Sequence, residues 1–323
     1  MKVLITREIP RAGIDLLKKH PDIEIDMRKG APLSSEELIE GLKDADALIP
    51  VIPDKITEEI ISSAKDLKII AAYSVGFDHI DISTATKNKV YVSNTPGNLT
   101  ESVAEHAMAL MISVARNIVS ADKFTRGGEY KFWDPMIFLG PVLQNKTLGI
   151  VGFGRIGQHL AKIAKGGFNM RVLYTDTQQN EKAELETGAM YVGMDELLEN
   201  SDFISLHVPL LPSTKHLIDE RSLKKMKPSC YLINTSRGPV IDEDALAISL
   251  KEGRIQGAGI DVFEEEPNIF DGLKELDNVV LTPHIGSATR EARIEMARMA
   301  ASNVIDVLID KKAPTNLVNK ELI

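Results

Sequence analysis

The sequence predicts an α/β protein built from two doubly wound, parallel-sheet domains, and three observations carry that prediction. Short apolar runs alternate with amphipathic stretches in two separate series, one over the first hundred residues and one from Lys146 onward. Strand–helix alternation of this kind is the pattern of a parallel sheet covered by helices. The chain has 323 residues, 43% of them apolar, enough for two cores at about 150 residues per domain. Finally, the second series opens on a glycine-rich turn between an apolar run and an amphipathic stretch.

The first series reads as KVLIT for a strand, PRAGIDLLKKH for a helix and IEIDM for a second strand. A helix then opens at Ser34, where Ser34-Ser35-Glu36-Glu37 fits a capping box and Leu38, Ile39 and Leu42 form the buried stripe. ALIPV (47–51), LKIIAAY (67–73) and VYVSN (90–94) complete the strands. Residues 96–120 break the rhythm: Thr100 is placed to cap a long helix with Val103, Ala107, Leu110, Met111, Val114 and Ile118 at helical spacing. The segment 121–145 reads as irregular and aromatic-rich, with the only tryptophan, Trp133. It is either a loop packed on its own protein or an arm between subunits.

The second series contains six strands: TLGIVGFG, RVLYTD, DFISLHVP, CYLINTS, IQGAGIDVF and VVLTPH. Helices are expected from Arg155, near Asp195–Glu199, from Asp219 to Lys225 and from Asp242 to Lys251. That count matches a complete doubly wound domain. A last amphipathic helix, about 288–312, lies beyond this sheet and is expected to return to the first domain. No repeat period and no low-complexity segment stands out.

A net charge of −9 offers no basic surface for phosphates, so nucleic-acid and anionic-membrane roles are disfavoured. Small anionic substrates stay open, because they need only a local positive site. The N-terminal apolar run, Val3 to Ile5, is far short of a signal-peptide core, and no stretch approaches the roughly 20 residues of a membrane span. A single cysteine, Cys230, excludes an intrachain disulfide and a cysteine-based zinc site, and suits a reducing cytoplasm. Sequons at Asn98, Asn145 and Asn234 read as chance matches in such a chain. No metal is expected, since His79 and His106 lack carboxylate-rich ligand spacing and read as structural.

Gly152-Phe153-Gly154-Arg155-Ile156-Gly157 follows the apolar run Leu148–Val151 and opens a helix. In that setting the first glycine permits the tight turn, the second admits a pyrophosphate and the third allows close helix–strand packing. The helix N-terminus adds unpaired N–H donors for the phosphates. Nineteen residues after Gly157 stands Asp176. A carboxylate there accepts hydrogen bonds from ribose hydroxyls and repels a 2′-phosphate, so NAD(H) is the expected cofactor, preferred over NADP(H). The domain is therefore read as Rossmann-like.

Three polar residues sit at strand ends of this domain: Arg237 in INTSRGPV, Glu266 in DVFEEEP and His284 in LTPHIGS. Ligands of open parallel sheets bind outside the carboxyl ends of strands, which puts all three at one crevice. Each alone also has an ordinary reading: Arg237 as a surface ion-pair partner, Glu266 as one of the solvated run Glu264–Glu266 and His284 as a loop histidine.

The order of these segments resembles the D-isomer-specific 2-hydroxyacid dehydrogenase family over essentially the whole chain, and within it the glyoxylate/hydroxypyruvate reductases. The matching blocks are SVGFDHID (74–81), NTPGNLTESVAEHAMAL (94–110), LGIVGFGRIGQ (148–158), HVPL (207–210), INTSRGPVIDEDAL (233–246), GAGIDVFEEEP (257–267) and LTPHIGSAT (281–289). The resemblance implies a discontinuous substrate domain, 1–98 with 288–323, around an NAD-binding domain, 99–287. It implies reduction of glyoxylate or hydroxypyruvate with Arg237 on the substrate carboxylate and carbonyl, Glu266 behind the histidine and His284 as acid–base group. Val75 and Gly76 resemble the carboxylate-binding loop. His207, Val208, Pro209, Thr235, Ser236 and Gly286 resemble cofactor-lining positions, and Asp261 the aspartate near the nicotinamide. The aromatic arm implies that Trp133 shapes a substrate pocket, its own or a neighbour's, and the resemblance also implies a homodimer and domain closure about hinges near Asn94–Thr100 and Ile285–Ala288. Alternatives are D-3-phosphoglycerate dehydrogenase, opposed by the absence of a further regulatory domain, and a nucleotide-sensing scaffold like the family's corepressor relatives.

Overall fold

A computed structural model describes residues 1–97 and 99–323. Asn98, the end of the expected first segment and one of the sequon asparagines, lies outside the described residues. The chain divides into two compact units, Met1–Leu99 with Ala288–Ile323, and Thr100–Ser287.

In the first unit β1 (Lys2–Ile5), α1 (Arg11–Leu17), β2 (Glu24–Met27), α2 (Ser35–Leu42), β3 (Ala47–Ile49), α3 (Glu58–Ser63), β4 (Ile69–Ala71), α4 (Ile82–Lys87) and β5 (Tyr91–Ser93) alternate. The sheet order is β2-β1-β3-β4-β5, with every pairing parallel. Such strands are buried on both faces, which is why Val3, Leu4 and Ile5 form a continuous apolar run rather than an alternating one. The capping box at Ser34 forms: its Oγ accepts from Glu37 N–H at 3.2 Å and its own N–H donates to the Glu37 carboxylate at 2.7 Å. The helices α3 and α4, six residues each, are not marked in the sequence, because so short a segment shows less than two turns of periodicity.

The second unit contains α5 (Thr100–Ala115), α6 (Ile118–Arg126), β6 (Thr147–Val151), α7 (Arg155–Phe168), β7 (Arg171–Thr175), α8 (Glu181–Thr187), β8 (Met190–Tyr191) and α9 (Met194–Asn200). It continues through β9 (Phe203–Leu206), α10 (Glu220–Lys225), β10 (Tyr231–Asn234), α11 (Glu243–Lys251), β11 (Gly257–Ile260), α12 (Asp271–Lys274) and β12 (Val279–Leu281). Its all-parallel sheet has the order β12-β11-β10-β9-β6-β7-β8. The order reverses between β6 and β9, the switch point at which such sheets bind ligands.

Three differences from the sequence reading have local causes. Thr100 is the first residue of α5 rather than a residue before it, and the single long helix is two: Asn117, in the left-handed region at φ 52°, ends α5 before α6 begins. Residues 121–126 are therefore helical, but α6 buries no residue, so no apolar pattern marks it. The sheet has seven strands because α8 leads into the two-residue edge strand β8, too short to register as an apolar run.

The chain then returns to the first unit as α13 (Arg290–Leu308), capped by Thr289 Oγ1 on Ala292 N–H at 3.2 Å, and packs against α1. Near the end, Asn319, 1% exposed, is bonded into the sheet edge. Its Oδ1 accepts from Val92 N–H at 2.8 Å and its Nδ2 donates to Val90 O at 2.9 Å and to Thr86 Oγ1 at 3.1 Å. Among the described residues no helix is long and apolar enough to cross a membrane, and no group of three or more His, Cys, Asp or Glu side chains is placed to hold a metal ion. Asn319→Ala leaves the buried Val92 N–H unpaired, so it should destabilise the first unit by about 1–3 kcal/mol. A thermal midpoint lowered by several degrees, with the far-ultraviolet signal intact below that transition, is the expected calorimetric and dichroism result.

Candidate active site

Gly152 directly follows β6, and its φ of +93° and near contact explain the residue: a Cβ there would lie 2.7 Å from the O of His207, the residue that follows β9. The two strand ends at the switch point thus touch. Gly157 faces the same turn, where a Cβ would meet Gly152 O at 2.4 Å, whereas Gly154 faces open space. Helix α7 starts at Arg155 with no side-chain cap on its first N–H groups. Asp176, just past β7, is tied to this turn: Oδ2 accepts from Phe153 N–H at 2.6 Å and Oδ1 from Thr177 N–H at 2.6 Å. The Phe153 ring stacks on Tyr174 at 3.9 Å between centroids, holding the loop on the sheet. Phe153 and residues 176–181 line an open cavity of about 540 Å³ that contains no lysine or arginine.

These residues fit a dinucleotide. Exposed helix N–H groups and the uncovered Gly154 suit a pyrophosphate, and Asp176 borders a cavity of the size a nucleoside needs. Two buried polar atoms near the switch point lack a protein partner, His207 Nδ1 and Thr235 Oγ1. The other imidazole nitrogen, His207 Nε2, lies 2.9 Å from Ser205 Oγ. Burial pushes the His207 pKa down to about 4, so the ring is neutral at physiological pH.

The adjacent strands β10, β11 and β12 place the other predicted residues side by side at their carboxyl ends. After β10, Asn234 Oδ1 accepts from Ser236 N–H at 3.0 Å and Oγ at 2.8 Å, and its Nδ2 donates to Arg237 O at 2.9 Å. That buried amide shapes the Thr235–Arg237 turn. Gly238 then lies flat on the next loop, where a Cβ would fall 1.9 Å from the Phe263 carbonyl carbon. After β11, Glu266 Oε1 accepts from Phe263 N–H at 3.0 Å while Oε2 lies 2.7 Å from His284 Nδ1. Glu266 and His284 are joined: the carboxylate accepts the Nδ1 hydrogen, which leaves Nε2 as the nitrogen free to gain or give up a proton.

His284 itself has φ 55°, a backbone state that costs a non-glycine residue about 1–2 kcal/mol. Asp261, 1% exposed, surrounds it with hydrogen bonds. Its main-chain O accepts from His284 N–H at 2.8 Å, and its carboxylate accepts from Ile285 N–H at 2.9 Å and Gly286 N–H at 2.8 Å. Burial works to raise the Asp261 pKa, but hydrogen bonds from His106, Thr282 and Ile285 N–H hold it below the usual carboxylate range. A second cluster ties the loop after β11 to the start of α11 and to the segment after β9: Glu264 Oε1 accepts from Glu243 N–H at 3.2 Å and lies 3.1 Å from His216 Nε2. In return Glu243 Oε1 accepts from Glu264 N–H at 2.9 Å, and desolvation raises the Glu243 pKa.

Sequence reasoning missed Asn234, Glu243, Glu264 and the partners of Asp261: Asn234 bonds within its own turn, and the others bond to segments distant in sequence, so no periodic pattern marks them. Val75 and Gly76 belong to the first unit, where Asn94 Nδ2 donates to Val75 O and Ser74 Oγ to Gly76 O, both at 2.7 Å. Trp133 stands on the 127–145 segment, 75% exposed.

An intact dinucleotide turn, with an arginine, a glutamate and a histidine on three neighbouring strand ends, defines a nicotinamide-dependent dehydrogenase. The chain belongs to the D-isomer specific 2-hydroxyacid dehydrogenase family, whose NAD-binding domain matches residues 108–286. It is 52% identical to a glyoxylate reductase of Thermococcus litoralis across 100% of this chain and 98% of that protein. A glyoxylate reductase of Pyrococcus furiosus is 49% identical across 100% and 96% of the two chains. A solved structure from Thermus thermophilus superposes with a TM-score of 0.92 at 40% identity, covering 98% of this chain and 100% of that one.

With a folded pKa near 4 against an unfolded value near 6.5, His207 binds its proton more readily in the unfolded chain. Its contribution is complete above about pH 6.5 and is lost as pH falls towards 4. Replacing it with asparagine should therefore flatten part of the fall in thermal midpoint across that interval; an unchanged slope would refute the assignment.

Proposed function

We propose that this protein reduces a small 2-keto acid, glyoxylate or hydroxypyruvate, to the 2-hydroxy acid with a nicotinamide cofactor. The observation that carries the reading is the 2.7 Å contact between His284 Nδ1 and Glu266, set beside Arg237 on neighbouring strand ends. Residues 152–157 with the N-terminus of α7, including Arg155 and Ile156, are proposed to hold the pyrophosphate, and Asp176 the adenosine ribose. Thr235 Oγ1, with Ser236, His207, Val208, Pro209 and Gly286, is proposed to line the nicotinamide half. When bound, the nicotinamide supplies the hydride.

The residues of the chain do the rest. Arg237 binds the substrate carboxylate and polarises the carbonyl; a planar guanidinium does this bidentately, as lysine cannot. As negative charge grows on the carbonyl oxygen, His284 donates the Nε2 proton to it, a step worth about 10²–10⁴-fold in rate. Glu266 accepts the Nδ1 hydrogen and so holds the ring with Nε2 directed away from it. Val75 and Gly76 are proposed to offer backbone N–H groups to the carboxylate. The unit of residues 1–99 and 288–323 is thus read as the substrate domain, and 100–287 as the NAD-binding domain. NADH is proposed as the preferred reductant because Asp176, in a cavity without a cation, opposes a 2′-phosphate.

We further propose a cytoplasmic homodimer. The apolar side chains of Phe132, Trp133, Met136 and Leu139 on the 127–145 arm are exposed, as a subunit interface would require, and buried, unpaired Cys230 suits a reducing compartment.

Initial rates with NADH and NADPH against glyoxylate, hydroxypyruvate, pyruvate and 3-phosphohydroxypyruvate test the substrate class; best turnover on the phosphorylated acid would move the reading to D-3-phosphoglycerate dehydrogenase. His284→Ala should lower kcat by about 10²–10⁴-fold while NADH binding, followed by fluorescence, persists. Asp176→Ala should narrow the NADH preference, and an unchanged ratio of kcat/KM values would remove Asp176 from cofactor selection.

A further inference from the structure

Helix α5 reaches the histidine loop through two side chains one turn apart. Ser102, buried, donates its hydroxyl to Gly286 O at 2.9 Å. His106 places Nε2 at 3.2 Å from Asp261 Oδ1 and 3.1 Å from Thr282 Oγ1. Thr282 Oγ1 in turn lies 2.5 Å from Asp261 Oδ1 as its donor. With the threonine proton committed to Asp261, both oxygens facing His106 are acceptors, so Nε2 carries a hydrogen. Asp261 thereby has three donors on Oδ1 and one, Gly286 N–H, on Oδ2.

We infer that Ser102 and His106 are positioning residues for His284. Neither touches the imidazole. Both act on the chain around it: Ser102 fixes the Gly286 carbonyl, and His106 with Thr282 fixes the carboxylate that grips Ile285 N–H and Gly286 N–H. Those two N–H groups immediately follow the residue held at φ 55°, a conformation that persists only where the surroundings over-determine it. If Asp261 rotates, the backbone is free to leave the left-handed region, and Nε2 moves away from its line of proton donation. Misplacement by about an ångström costs proton and hydride transfers up to about 100-fold without weakening binding. Hydrogen-bonding His106 and Ser102 share one face of α5, being four residues apart, so a single rigid helix sets both.

The inference rests on His284 being the acid, and the test separates the two claims. In His106→Leu and in Ser102→Ala, kcat with glyoxylate and NADH should fall by about 10-fold or more, with KM and NADH affinity changed less than about twofold. His106→Gln, which restores an N–H at the Nε2 position, should recover most of the loss. The deciding measurement repeats both substitutions in a His284→Gln background. Positioning through His284 predicts that neither then lowers the residual rate further. The same fold loss in both backgrounds, or failure of His106→Gln to recover activity, overturns the inference. Full turnover by His284→Gln alone would instead overturn the proposed acid. Should His106→Leu fail to fold, Ser102→Ala, which removes a single oxygen, decides the question by the same comparison.

Discussion

All the strands of the second unit's sheet run the same way, and the arrangement of the site follows from that constraint. Parallel strands need crossover helices, which cover both faces and leave only the strand ends open to a ligand. Every loop after a strand therefore emerges on one edge. Loops after β6, β7 and β9 supply the dinucleotide turn, Asp176 and His207, and loops after β10, β11 and β12 supply Arg237, Glu266 and His284. Residues as far apart in sequence as Gly152 and His284 reach the same edge without any long-range device beyond the sheet itself.

Loops crowded on one edge have backbone N–H groups that no strand partner can satisfy. Polar side chains at or just past the strand ends take them up. Asp176 accepts from Phe153 and Thr177, Asn234 from Ser236, and Asp261 from Ile285 and Gly286. Each bond spans a turn or joins one loop to the next, so the loops behave as a coupled set rather than as independent connections. Rigid loops of this kind hold a reacting group in one orientation without a penalty at the moment of reaction.

The sequence shows these features unequally, for physical reasons. The parallel strands and the Gly152–Gly157 turn are legible because buried strands are continuous apolar runs and close approaches demand glycine. Arg237, Glu266 and His284 are legible as residue types at strand ends, once the order of the blocks is compared with a family. The helices α3, α4, α8 and the strand β8 fall below the length at which a period can be seen. The break at Asn117 is hidden because Ile118 keeps helical spacing with Val114 although the backbone turns between them. His106 reads as merely structural in sequence because its partners, Asp261 and Thr282, lie 155 and 176 residues away. Contacts that cross between loops leave no local pattern.

Electrostatics poses the sharpest problem for a site that receives an anion. Asp261, Glu264 and Glu266 lie on the loop after β11, between the loops that carry Arg237 and His284, and Glu243 opens α11 beside them, in a chain already at −9. Their field would repel a keto acid if it were uncompensated. It is not, because each carboxylate is turned inward onto donors. Asp261 has four hydrogen bonds, Glu266 faces Phe263 N–H and His284, and Glu264 accepts from Glu243 N–H. Glu243 has its pKa raised, by desolvation first and then by the neighbouring glutamates. Hydrogen bonds to N–H dipoles shorten the reach of a carboxylate's field much as solvent does. The acidic residues on these loops thus act first as acceptors for loop N–H groups, and so serve the geometry of the strand ends.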